Sequence, residues 1–243
     1  MPSALLNVMV NAAKKASVKI RRDFNELENL QVSVKGPGDF VTSADIRTQK
    51  IIIDELTKAK PDWSFFAEEK QNSNANNSKN RFIIDPIDGT TNFLHGNPNF
   101  AISIAAEVEN RLEAGIIYSP VYDELFFAER GKGAFFNDRR LRVAQRKKLS
   151  ECIIGTGIPF GERIYNKYLN EIDKISRKKS RKDLNKFESF GVDIWNAYEF
   201  SYLLNGKPKI IVLEISIPSN SLYTIESKSM KLFLNSFYNK NCF

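Results

Sequence analysis

The chain has 243 residues, 42% of them hydrophobic and 27% charged, with a net charge of +7, a composition that supports a buried core in an ordinary globular protein. No run approaches the roughly 18 apolar residues that span a bilayer, and the N-terminal MPSALLNVMVNAAKK has no basic segment ahead of an apolar core, so a cytoplasmic setting with no membrane contact is expected. A single histidine, His95, excludes three-histidine zinc chemistry, and two cysteines, Cys152 and Cys242, exclude a disulfide framework.

A first helix is predicted over residues 3–28, capped by Ser3, with Val8, Ala12, Ala16, Ile20 and Phe24 recurring every fourth residue as its apolar stripe. VKGPGDFVT follows as a glycine-proline loop running into a short extended piece. A second helix is placed from Ser43 to just before Pro61, with Ile52, Ile53 and Leu56 inward and Asp45 in its first turn, where a carboxylate suits the helix dipole. SFFAEE reads as a strand ending in Glu68 and Glu69, and KQNSNANNSKN as an exposed loop. The stretches FII (82–84), FAISIAAEV, LEAGIIYSPV and ELFFAER read as strands, with a tight turn at Glu109-Asn110-Arg111 and one more hairpin-like pair in RGKGAFFNDRRLRV. Helices ahead of a largely antiparallel strand block predict α+β layering. Residues 162–186 and GVDIWNAYEFSYLLNG, closed by Gly206, read as helices, and the remaining tail has neither glycine nor alanine. The basic KISRKKSRKD, residues 174–183, reads as a solvated helix face, since no aromatic residues are interleaved for base stacking.

The chemistry concentrates in RFIIDPIDGTTNF, residues 81–93, where a dry strand meets Asp85 and Asp88. Two carboxylates there repel each other and lose hydration, so a cation between them is expected. Pro86 fixes φ and removes an N–H, and Gly89 reaches backbone angles closed to other residues. With Glu68 and the upstream Asp45, these are hard oxygen donors of the kind Mg²⁺ takes, and a helix opening at GTTNFL would offer N–H groups to a phosphate. An acidic turn after a strand is the plainer reading of Asp-Pro-x-Asp-Gly; the preceding Glu-Glu and following Thr-Thr favour the phosphate-ester site.

IDPIDGTTNFLHGNP is similar to the signature of the inositol monophosphatase family of Mg²⁺-dependent, lithium-sensitive phosphatases. KGPGDFVTSADIRTQKII, FFAEE, AGIIYSPVYDELFFAERGKGAFFNDRRLRV and TGIPF match in the expected order, so the resemblance covers roughly residues 5–160, the bacterial inositol-1-monophosphatase type looking closest. It implies a layered αβαβα sandwich in a single domain over 1–243, matched over 1–160 and divergent over 161–243, and a homodimer. The activity implied is hydrolysis of a small polyol monophosphate, myo-inositol-1-phosphate first. In that reading Glu68, Asp85 and the Ile87 carbonyl ligate a first metal, Asp85 and Asp88 hold a second, and Glu68 also touches a weak third. Thr90, with Asp45 and Glu68, orients and deprotonates the attacking water, the Gly89 and Thr90 amides hold the phosphate, and His95 is structural. Alternatives are a fructose-1,6-bisphosphatase, a nucleotide 3′-phosphatase, or a catalytically weakened relative that binds RNA or the transcription machinery.

The family's second signature, Trp-Asp-x-Ala-Ala-Gly, is missing: neither Trp63 nor Trp195 precedes an aspartate. Glu214 in LEISIPSNSLY resembles a family glutamate that contacts substrate hydroxyls, but Ser219, Asn220 and Ser221 offer no carboxylate where the aspartate should fall. Two origins fit, a shifted reading frame or decayed gene, or compensation by Asp193 or another carboxylate; the tail's composition favours the first. Either way reduced or lost activity is expected.

Overall fold

A computed structural model describes residues 2–27, 32–36, 39–69, 78–141, 152–155 and 209–212. Helix α1 spans Ala4–Asn25, and the Ser3 hydroxyl caps it by accepting the Leu6 amide at 3.2 Å. Its buried face is Leu6, Met9, Ala12, Ala13, Ala16, Ser17, Ile20 and Asp23, so the every-fourth-residue stripe is corrected. Steps of four overshoot a 3.6-residue turn, and the stripe drifts around the cylinder. Val8 and Phe24 consequently sit at its edges, half-buried, while Leu6 and Met9 take the centre.

Strands β1 (Val32–Gly36) and β2 (Asp39–Thr42) pair antiparallel, where the sequence predicted a loop and one extended piece. Helix α2 spans Ser43–Ala59 as predicted, burying Ile52 and Leu56 but leaving Ile53 half-buried. Asp23 of α1 accepts Arg47 of α2 at 2.9 Å, with Lys19 at 3.4 Å, which fixes the two helices against each other at their polar seam.

The main sheet has seven strands in sequence order: β3 (Ser64–Ala67), β4 (Arg81–Asp88), β5 (Ala101–Val108), β6 (Arg111–Ser119), β7 (Glu124–Glu129), β8 (Gly133–Phe136) and β9 (Arg139–Arg140). β3 runs parallel to β4 and every other pair is antiparallel, so the protein is an α+β sandwich built on a mixed sheet. The β5–β6 turn is the predicted one: Glu109 and Asn110 both take positive φ, the type I′ geometry whose twist matches the strands. One face of the sheet, with Phe82, Ile84, Ile102, Ile104, Ala106, Ala114 and Ile116, forms a single core with α1 and α2. The opposite face is dry as well, with Ile83, Ala105, Ile117 and Phe126 buried, as a layered sandwich requires. A further pair, β10 (Cys152–Gly155) and β11 (Lys209–Val212), is parallel and forms a separate two-stranded sheet. No helix among the described residues is long and apolar enough to cross a membrane. The helices expected over 162–186 and 191–206 lie outside the described residues.

Candidate active site

The decisive local feature is a bulge in β4. The sequence reading ended this strand at Ile84, yet the ladder continues through Pro86 to Asp88. Asp85 pairs with Ser103 and Asp88 with Ala101, so three steps on β4 oppose two on β5. In a regular strand residues three apart point to opposite faces; one inserted residue returns the second to the face of the first. Both aspartates therefore share the face of Ile83 and Ala105, away from α1 and α2. Pro86 suits the bulge because it has no N–H to place in the ladder.

Glu68 arrives on the same face from the neighbouring strand. The parallel register pairs Phe66 with Ile83 and Ala67 with Ile84, and the Glu68 amide donates to the Ile84 carbonyl at 3.2 Å, which sets Glu68 beside Asp85. Gln49 of α2 holds the next residue at both ends of its peptide: its Nε2 donates to the Glu69 carbonyl at 2.7 Å, and its Oε1 accepts the Glu69 amide at 2.9 Å. Asp85 and Asp88 are each only 2% exposed.

Asp45 reaches the site from the first turn of α2. Thr42 is the N-cap, and the pair forms a capping box: the Thr42 amide and hydroxyl donate to Asp45 Oδ2 at 2.8 and 2.5 Å, and the Asp45 amide returns to Thr42 Oγ1 at 3.3 Å. Asp45 is fully buried, and burial pushes its carboxyl up from 3.8 to about 6 against the opposing effect of the Thr42 hydrogen bonds; the charges of Glu69 and Glu68 push the same way as burial. Its other oxygen, Oδ1, accepts the Thr90 hydroxyl at 3.3 Å, and the same hydroxyl lies 3.0 Å from the Ile87 carbonyl. One proton thus has two acceptors.

Gly89 takes φ +94°, and helix α3 (Thr90–Leu94) opens immediately after it, as predicted. Asn92 steadies this turn by donating to the Asn99 carbonyl at 2.7 Å and accepting Asn97 Nδ2 at 3.2 Å. Phe93 and Phe24 both pack on Phe100, at 5.1 Å between centroids in each case, which ties α3 to the end of α1. His95 closes α3, its Nδ1 2.8 Å from the Thr91 carbonyl, and the residue is exposed.

The structure therefore brings Asp45, Thr90 and Ile87 into direct contact and sets Glu68, Asp85 and Asp88 on one adjoining face. The donor chemistry, buried carboxylate and carbonyl oxygens, fits a hard divalent cation. Among the described residues, however, no three His, Cys, Asp or Glu side chains lie close enough together to hold a metal ion. Glu214, Asp193 and the basic 174–183 segment lie outside the described residues. Sequence reasoning missed Thr42, Gln49 and Asn92. The spacing Thr-Ser-Ala-Asp, a capping-box pattern, could have revealed Thr42; no local signal marks Gln49, whose role exists only once α2 lies beside β3.

Comparison with known proteins places this geometry. The model of the family described as "Inositol monophosphatase family" matches residues 1–199. An inositol-1-monophosphatase of Mesorhizobium japonicum is 53% identical over 174 residues, covering 71% of this chain and 65% of that protein. A Nus factor SuhB of Escherichia coli is 37% identical over 172 residues, 70% of this chain and 64% of that one. The aligned part of the chain thus spans just under two thirds of these relatives' own length. The crystal structure of the extragenic suppressor protein SuhB from Bartonella henselae superposes with a TM-score of 0.82 at 41% identity, covering 96% of this chain and 85% of that one. A second family model, described as "Nitrile reductase, 7-cyano-7-deazaguanine-reductase N-term", matches residues 164–243. A stretch read in the wrong frame has no reason to match any family, so this second match argues against the shifted-frame origin of the tail. The match over 1–199, with these relatives and the superposed structure, leads to one conclusion: the chain belongs to the inositol monophosphatase family.

Proposed function

We propose that this chain hydrolyses a small polyol monophosphate, myo-inositol-1-phosphate foremost, to the free alcohol and inorganic phosphate in a Mg²⁺-dependent reaction. The observation that carries the proposal is the contact between Asp45 and Thr90 beside a bulge that turns Asp85 and Asp88 to one face. The 53% identity to an inositol-1-monophosphatase supports the substrate class. Glu68, Asp85 and the Ile87 carbonyl would hold one ion and Asp85 with Asp88 a second, which requires these side chains to draw closer together than they stand in the structure. The carbonyl has a second lone pair beyond the one facing Thr90. The chemistry such an ion supplies when bound is that of a Lewis acid, an acidified water and compensation of charge on the departing alkoxide.

The chain's own part is proton handling and orientation. Ionised Asp45 draws the Thr90 proton toward Oδ1, which turns a lone pair of Thr90 Oγ1 outward to accept a proton from the attacking water, with Glu68 alongside. The carboxyl of Asp45, raised to about 6, is ionised at neutral pH yet basic enough to share that proton. Gly89 and Thr90 amides, at the start of α3, would hold the phosphate; Glu214 lies beyond the inositol monophosphatase match and inside the nitrile reductase match, so the substrate-hydroxyl role is not assigned to it. Without the second family signature, a turnover below that of its relatives is expected. The protein would act as a cytoplasmic homodimer.

The test is phosphate release from myo-inositol-1-phosphate at millimolar Mg²⁺, with and without lithium, alongside Asp85→Asn. Lithium-sensitive release abolished in the variant is the expected result. No release from chain shown to be folded by circular dichroism would remove the activity and leave the family membership intact.

Relatives named Nus factor SuhB favour a second reading, a catalytically weakened member that acts on RNA or the transcription machinery. Salt-sensitive binding to RNA or RNA polymerase that survives Asp85→Asn would support it. For residues 164–243 the second family match points to a ligand of the 7-cyano-7-deazaguanine type; calorimetric titration of the full chain with that nitrile tests this.

A further inference from the structure

The two family matches meet in the fold at one place. Strand β10, Cys152–Gly155, lies inside the inositol monophosphatase match and ahead of the nitrile reductase match. Strand β11, Lys209–Val212, lies inside the nitrile reductase match and beyond the end of the other. The two are hydrogen-bonded to each other in a parallel ladder, Cys152 opposite Lys209, Ile153 opposite Ile210, Ile154 opposite Ile211 and Gly155 opposite Val212. The stretch claimed by both matches, 164–199, falls wholly within the connection between these strands.

From this placement we infer that the nitrile-reductase-like stretch is built into the phosphatase-like fold as the strand partner of β10, and is not a second unit tethered behind it. Parallel neighbours cannot be joined by a tight hairpin; they need a crossover of a dozen or more residues, and the stretch 156–208 provides one. A crossover is also where a change of sequence family is tolerated best, because connections carry few register constraints whereas a strand must keep its ladder. What the fold demands of the incoming segment is small. It needs a short run of β-branched residues with backbone groups to pair, and Lys-Ile-Ile-Val, beyond the end of the phosphatase match, meets that demand. The pairing matters to both halves, since it is the one sheet contact made by either strand among the described residues. The β10–β11 sheet is then drawn from two sequence families, and the nitrile-reductase-like stretch does structural service there whether or not it binds a nitrile.

The register makes this directly testable, because Cys152 is native and faces Lys209. Paired strands sit ~4.8 Å apart, inside the ~4.4–6.8 Å Cα window of a disulfide, whereas a position two residues along is ~8 Å away and outside it. Full-length Lys209→Cys with Cys242→Ser is oxidised with oxidised glutathione and mapped by mass spectrometry, beside full-length Ile211→Cys with Cys242→Ser. The inference expects a disulfide from Cys152 to the thiol introduced at 209, at least fivefold more abundant than to that at 211. Equal yields, or none at 209, would overturn it. A second measurement guards against a variant that folds poorly: in otherwise unaltered chain, Ile211→Pro should speed amide exchange of residues 153–155 at least tenfold while Ala101–Val108 stays protected. Unchanged exchange at 153–155, or loss of protection spread evenly over both strands, would count against the ladder.

Discussion

Replacing Asp45 by Asn isolates the buried carboxyl that anchors the site. The wild-type group has its folded-state value raised from 3.8 to about 6, mainly by burial. A raised carboxyl favours the folded state when protonated, so its contribution is fully present below 3.8 and is lost as pH rises through about 6. That interval corresponds to about 3 kcal/mol. Asn preserves the shape: its oxygen keeps the two donors from Thr42, and its amide faces Thr90 Oγ1, whose own proton then rests on the Ile87 carbonyl. The hydrogen bonds to Thr42 and Thr90 are kept, so the variant should fold. Urea unfolding of both proteins is followed at pH 4, 6 and 8 without divalent cations. The variant should gain on the wild type by about 2.5 kcal/mol between pH 4 and 8, most of it between pH 4 and about 6. Titrating groups distant from Asp45 cancel in the difference, whereas Glu68 and Glu69, whose charges act on it, do not. With Mg²⁺ present the gain should shrink, since a cation near Glu68 and Glu69 offsets the charges that raise Asp45. At pH 8 the variant should also lose at least 100-fold in phosphate release, because its amide cannot accept the Thr90 proton. A stability difference independent of pH would refute the placement of an ionisable, desolvated Asp45.

The remaining predictions are independent of that one. Gly89→Ala places a side chain at φ +94° and should cost about 1–3 kcal/mol in urea unfolding, with activity falling alongside. Phe82→Ala removes a fully buried ring packed 4.6 Å from Trp63 and 5.9 Å from Phe65, and should cost about 3–5 kcal/mol. Millimolar Mg²⁺ should raise the Tm of the wild type and leave that of Asp85→Asn unmoved, a binding readout that needs no turnover; equal shifts would place the cation elsewhere.

Local sequence accounts for much of this structure. The Ser3 cap, the second helix from Ser43, the succession of strands from Phe100 onward and the Glu109-Asn110 turn are set by interactions within a few residues, and they were readable as such. The acidic motif was equally legible, because Asp-Pro-Ile-Asp-Gly-Thr-Thr-Asn-Phe carries its chemistry in its residue types. Tertiary structure decided the rest. Asp85 and Asp88 share a face only because the pairing with β5 slips by one residue there, and a bulge is a property of two strands that cannot be seen in one. Gln49 matters only because α2 lies against the end of β3, and the place of Lys209–Val212 is defined by a partner strand far back in the chain. Side-chain type and short-range periodicity are written along the chain, whereas register and partnership are set by which surfaces exclude water together.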